Sequence, residues 1–172
     1  VGVDALAAVG STGSMVFLVN GFATGLTSGF AVLVSQKFGA KDEKGLRKAT
    51  ASAITLTVIS VIVATIVSLL GAKPLLKLMN TPENIMGDAY IYVKIIYGGI
   101  IATVAYNFIA SILRALGDSK TPLYFLIVSS VLNIILDLVF IINFKMGVAG
   151  AAYATIISQG VSAILCLIYA YK

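Results

Sequence analysis

Apolar residues fill this chain in long unbroken runs rather than in stripes. Residues 5–36 give 32 positions without an Asp, Glu, Lys or Arg. Residues 49–72 give 24, residues 95–113 give 19, and residues 146–171 give 26. Residues 121–144 give another 24, with Asp137 as the one charge. A hydrocarbon core about 30 Å thick is crossed by roughly 20 helical residues at about 1.5 Å each. Each run is at or near that length. A membrane barrel needs alternating segments of about ten residues, and these runs are longer and continuously apolar. Lipid offers the backbone no partners, so each run must pair its amides internally as a helix. The pattern predicts an all-α, polytopic bundle of five transmembrane helices over about 5–36, 49–72, 84–116, 121–144 and 147–171.

The ends of these spans carry their own signals. The first run would reach about 48 Å as one helix. Gly10 and Gly13 are read as its start, leaving a core at 13–36. Asn80 or Thr81 is expected to cap the helix at 84–116, with Pro82 and Glu83 in its first turn. Ser119 or Thr121 is expected to cap the next, with Pro122 at its start, and Gly147 to close the last tight connector. Leu75, Leu76, Leu78 and Met79 read as a short helix lying along the outer surface. Tyr90, Tyr92 and Tyr97 suit the outer interface, and 37–48 reads as a solvated loop.

Composition narrows the function classes. Of 172 residues, 59% are hydrophobic and 11% charged, against about 25% charged in soluble domains. Mean hydropathy is +1.03. With no His and one Cys, an intrachain disulfide, a Cys/His zinc site and His-based catalysis are excluded. No nucleophile–base pair is visible, so the chain is not read as an enzyme. The net charge of +5 would fit nucleic acid, but the basic residues lie between apolar runs, where a membrane explains them better. Lys37, Lys41, Lys44, Arg47, Lys48, Arg114, Lys120 and Lys172 fall on one side; Lys73, Lys77, Lys94 and Lys145 fall on the other. The richer side is expected to be cytoplasmic, in the plasma (inner) membrane, with the N-terminus outside and the C-terminus inside. Residues 1–20 lack a basic leader and the chain starts at Val1, so an earlier span is expected before it.

Polar positions inside the spans are few. Gly21, Gly25 and Gly29 share one face and read as a close helix–helix contact. So do Gly147, Ala151 and Thr155, and Gly150, Ala154 and Ser158, on the last helix. Cys166 reads as packing, and Asn20, Asn107 and Gln159 as interhelical hydrogen-bonding groups. Asp137 stands apart. A carboxylate at mid-membrane costs about 2.5–3.5 kcal/mol on insertion scales. Asn133 lies one helical turn before it, about 5–6 Å away. The pair can begin an oxygen cage for Na⁺, Asp137 alone can carry a proton, or the acid can simply hold the bundle together through one interhelical hydrogen bond.

The order of several stretches resembles the multidrug and toxic compound extrusion (MATE) transporters. They are DALAAVGS at 4–11, GLTSGFAVLVSQKFGAKD at 25–42, NFIASILRALGDSKTP at 107–122, VLNIILDLVFI at 131–141 and MGVAGAAYATIIS at 146–158. The resemblance implies a twelve-helix fold of two six-helix lobes. In it 1–172 is a single partial lobe, similar to helices two to six of the N-terminal lobe. It implies export of organic cations and amphipathic drugs against Na⁺ or H⁺ entry, by alternating access. No cofactor is implied beyond Na⁺ itself. The family's cation site falls on Asn133 and Asp137, with Thr155 and Ala151 from the last helix. For sodium coupling, Asp137, Asn133 and Thr155 would be the Na⁺ ligands. Asn107, Ser130 and Gln159 match a polar network or substrate cavity. The implied partners are the drug, the coupling ion, membrane lipid, a first helix and a C-terminal lobe, and no nucleic acid. Two rivals are a lipid-linked saccharide flippase, for which an Arg-rich cavity would speak, and a non-transporting membrane scaffold subunit.

Overall fold

A computed structural model describes residues 2–171. Among them the elements are all helical: α1 (Val3–Gly39), α2 (Glu43–Leu78), α3 (Glu83–Gly98), α4 (Ile100–Ala115), α5 (Lys120–Leu138) and α6 (Gly147–Tyr171). A π-helical stretch, Val139–Asn143, follows α5. Four helical stretches are long and apolar enough to cross a membrane, and α3 with α4 makes a fifth if the bent pair is one span. The expected bundle is therefore present, as a multi-pass membrane fold. Lys172, counted above with the cytoplasmic charges, and Val1 lie outside the described residues.

α4 lies at the centre, packed on α1 and on α6; α5 packs on α6, and α3 bridges α1 and α6. Small residues bring the helices close. Ala8, Ala72, Ala89, Ala110, Ala152 and Ala154 are fully buried, as expected where packing rather than hydrophobicity drives association. Cys166 is buried with Tyr106, Ala110 and Ala163, a packing role. The outer faces are apolar and exposed, as with Phe17, Val67 and Ile134.

Several local expectations are corrected. Gly10 and Gly13 do not mark a start: α1 runs through both, reaching about 55 Å as one helix. Both face outward with open space beside them, and lipid forbids leaving their amides unpaired. Gly21, Gly25 and Gly29 also look onto open space, so they are not a contact face among the described residues. α1 packs instead through Ala23, Thr27 and Ala31. The predicted surface helix at 75–79 is absent. α2 continues through Pro74, and Leu76 is fully buried in the core with Ile85 and Ala89. Tyr97 is likewise in that core, 1% exposed.

The predicted span at 84–116 is broken. α3 and α4 meet at Gly99 with a bend of 44°. Neither Asn80 nor Thr81 caps α3; Pro82 stands at the cap position with no side-chain bond. Asn80 has φ +53, and the Thr81 hydroxyl is buried without a partner. At α5 the cap bonds come from Asp118, whose carboxylate accepts from the Lys120 and Thr121 amides at 3.2 and 3.0 Å, rather than from Ser119 or Thr121. Gly147 has φ +56 and opens α6 from the tight connector, as the sequence implied.

The basic run 37–48 is mostly helix. Lys37 lies in the last turn of α1, and Asp42 caps α2 by accepting from the Gly45 amide at 2.8 Å. Lys37 also pairs with Asp42 at 3.1 Å. A side chain at Gly45 would overlap the Asp42 carboxylate. The cap thus requires glycine there.

Candidate functional site in the α5–α6 layer

α5 carries Asn133 and Asp137 one turn apart, both half-buried. Their polar atoms are incompletely served. Asn133 Nδ2 and Asp137 Oδ1 are both buried and neither has a hydrogen-bond partner. Such groups are rare because each costs its lost hydration. In a span such a group is a candidate functional site. Immediately beyond Asp137 the helix widens to π-geometry over Val139–Asn143, a distortion that recurs at functional sites. Phe140 of this stretch is in tight contact with Gly150 on α6, where a Cβ would lie 3.0 Å from that of Phe140.

α6, which packs on α4, α5 and α3, carries Ala151 and Thr155 one turn apart. The Thr155 hydroxyl donates to the Ala151 carbonyl at 3.0 Å. Its donor is thereby spent, and its oxygen lone pairs remain. No group of three or more His, Cys, Asp or Glu gathers among the described residues. A cation here would rest on the single acid Asp137 and neutral oxygens. Asp137's unpaired oxygen fits either a proton or a hard cation.

Tyr92 on α3 is the residue that sequence reasoning missed. Its phenol lies within Coulombic range of the Asp137 carboxylate. The sequence assigned it, with its tyrosine neighbours, to an interface, and nothing in its spacing to Asp137 signals that proximity.

The polar positions assigned to a cavity divide. Asn107 Nδ2 donates to Thr103 O at 2.8 Å within α4, and Asn107 and Gln159 line one open cavity of about 370 Å³. Gln159 Oε1 is buried and unpartnered. Ser130 is exposed, donates to Leu126 O at 2.9 Å and does not line that cavity. Tyr106 on its wall donates to the Pro122 carbonyl at 2.9 Å.

In the connectors, Asp42 and Asp118 are held below the usual carboxylate range. For Asp42 the first cause is the Gly45 amide, then Lys37. For Asp118 it is bonding to the Thr121 side chain and then its amide.

An all-helical bundle with four or five apolar spans is the architecture of a multi-pass membrane protein. Comparison with known proteins gives the family. The MatE family profile matches residues 1–139, and the chain belongs to that family. It is 40% identical to the probable multidrug resistance protein YpnP of Bacillus subtilis over 172 residues, covering 99% of this chain and 38% of that one. It is 37% identical to YoeA of the same organism, also a probable multidrug resistance protein, covering 99% and 38%. Among solved structures, an inward-facing multidrug resistance MATE transporter of the MOP superfamily superposes with a TM-score of 0.91 at 29% identity, covering 96% of this chain and 38% of that one. An outward-facing one also gives 0.91 at 29% identity, covering 99% and 38%. The chain thus spans about 38% of the length of these relatives.

Proposed function

We propose that this chain forms the cation-coupling bundle of an exporter of organic cations and amphipathic drugs, driven by Na⁺ or H⁺ entry. The observation that carries the reading is the Asp137 carboxylate, set in a span with a buried oxygen that nothing in the bundle serves. A group so placed gains most from a proton or cation, and loses it again at a cost. Asn133 one turn earlier, Thr155 and the Ala151 carbonyl offer the neutral oxygens for Na⁺ as cargo. Loading neutralises the acid and changes which packing of α5 and α6 is preferred. The ion shifts the balance of inward and outward states only by its differential affinity for them. The π-helical stretch beside Asp137 and the α3–α4 bend give two places where backbone geometry can change with little loss.

The likeness to both inward-facing and outward-facing relatives at one TM-score supports motion of this unit as a near-rigid body. In this reading the drug binds between this bundle and the rest of the transporter, in contact with membrane lipid. The basic connectors 37–48 and 114–120 face the cytoplasm of a plasma (inner) membrane, with the N-terminal end outside.

The test is Asp137→Asn in the complete gene product, with drug efflux measured against an imposed Na⁺ or H⁺ gradient. Loss of gradient-dependent efflux with unchanged membrane insertion is expected. Efflux that remains fully coupled in that variant overturns the reading.

A further inference from the structure

The basic end of α2 sits directly on an apolar face that nothing in the bundle covers. Lys41, in the turn before α2, and Lys44, Arg47 and Lys48, in its first turns, are all exposed. The acids beside them do little to offset this charge. Asp42 is taken up by Lys37 at 3.1 Å and by the Gly45 amide at 2.8 Å. Glu43 makes no ion pair, since among the described residues the one pair is Lys37–Asp42. The end of α2 therefore keeps a surplus of positive charge.

Helical spacing sets what lies below these charges. Lys44 and Lys48 are one turn apart, and steps of three and four carry the same face on through Ala51, Thr55, Val58 and Ile62. α2 turns a different side, with Ala53, Thr57 and Val61, into the bundle. Val58 and Ile62 are more than half exposed. Thr55 donates its hydroxyl to the Ala51 carbonyl at 3.0 Å, so its proton is already bonded within the helix. Lys73 closes the strip about 37 Å beyond Lys48 at about 1.5 Å per residue, against a hydrocarbon core of about 30 Å. Lysines thus bracket an apolar strip of bilayer length.

We propose that the Lys44–Lys48 end of α2 binds the headgroup of an anionic phospholipid, whose acyl chain lies along Ala51, Thr55 and Val58. Two ammonium groups one turn apart meet one phosphate, while their apolar stems lie against the helix. A soluble acidic partner would leave the strip below the charges unused. The site is separate from Asp137 and stands whether or not the bundle moves an ion.

The test is native mass spectrometry of the complete gene product in detergent, loaded with equal amounts of dioleoyl phosphatidylglycerol and dioleoyl phosphatidylethanolamine. Retained phosphatidylglycerol is expected to exceed phosphatidylethanolamine by about fivefold or more, the worth of one basic residue at a charged surface. Lys44→Gln with Lys48→Gln removes the preference, and Lys44→Arg with Lys48→Arg keeps it. The charge-matched pair Lys120→Gln with Lys145→Gln also keeps it. A phosphatidylglycerol carrying a mid-chain diazirine labels α2 within 51–62 in the wild type and spares it in the Lys44/Lys48 Gln pair. No preference in the wild type, or an equal loss in both charge-matched pairs, overturns the proposal. So does labelling that falls only outside α2, as it would if another helix of the complete protein covered this face. Displacement of the lipid by equimolar glycerol phosphate, which has the headgroup charge and no tail, overturns it in favour of a soluble anion. Should the Gln pair fail to insert, the wild-type labelling and the glycerol phosphate competition decide.

Discussion

Ile156 of α6 fills the space beside Gly99, the residue at which α3 and α4 meet at 44°. A Cβ on Gly99 would overlap three atoms of the Ile156 side chain, Cγ1 and Cγ2 among them. Those two are fixed close to the α6 backbone, so rotation cannot clear both. The contact lies one residue from Thr155, which ties the broken helix to the element carrying part of the candidate cation site.

Gly99→Ala is therefore expected to destabilise the bundle by about 1–3 kcal/mol, the usual cost of overpacking. Ile156→Ala in the same chain should recover part of that loss, with a coupling above about 0.5 kcal/mol. Thermal unfolding of the four proteins in detergent measures it. Additive effects would show that the two positions do not touch.

Two side chains reach across to the backbone of α5. Tyr106 donates to the Pro122 carbonyl at 2.9 Å, and Ser162 donates to the Phe125 carbonyl at 2.8 Å. Both carbonyls lie near the start of α5, far along the helix from Asp137. Tyr106→Phe and Ser162→Ala are each expected to cost about 0.5–1.5 kcal/mol, near the lower end for bonds in a membrane. Hydrogen exchange should rise at 120–128 and stay unchanged at 133–138. A uniform rise along α5 would contradict a local clamp.

The five apolar runs were legible because crossing lipid demands length and apolarity, and both are printed in the sequence. Breaks inside a run were not. Gly98 and Gly99 sit in a stretch whose hydropathy does not change at the bend, and the packing of Ile156 against Gly99 belongs to tertiary structure. The π-helical stretch 139–143 is as apolar as the helix before it, so periodicity could not separate them. The apolar group Leu75, Leu76, Leu78 and Met79, read as a separate surface helix, erred in the opposite direction, since α2 runs on through Pro74. Pro74 removes one amide hydrogen bond, yet the helix continues past it and buries Leu76 in the core. At the site, Asp137 and Asn133 were legible as a charge and an amide where lipid would expel them. Tyr92 was not, since its approach to Asp137 depends on how α3 packs.

The two connector acids set an acid limit. The folded values of Asp42 and Asp118 lie below the ordinary carboxylate value of 3.8. Their bonds therefore contribute fully above that pH and are lost as pH falls through the folded values. Below pH 3.8 the first turns of α2 and α5 are expected to loosen before the spans do. Asp118→Asn should remove the pH dependence at α5 alone. Amide exchange at 119–123 in wild type and variant, across an acid series, measures it. An identical acid transition in both would exclude Asp118 as its source.

Tyr92 supplies the sharpest test of the site itself. Its phenol is in Coulombic range of the Asp137 carboxylate from a helix that the cation ligands do not share. If Asp137 loads and releases an ion, the phenol tunes how tightly that ion is held without itself being the load. Tyr92→Phe removes only the hydroxyl. It should shift the Na⁺ concentration or pH for half-maximal efflux by about two- to tenfold, at most about 1.4 kcal/mol, while the maximal rate survives. Asp137→Asn should instead abolish the gradient dependence. Tyr90, half-buried on the same helix and packed in the core below, serves as the control. Tyr90→Phe is expected to leave the half-maximal point in place. An equal shift in both variants would mean that the phenols act through packing, and that Asp137 is not read through Tyr92.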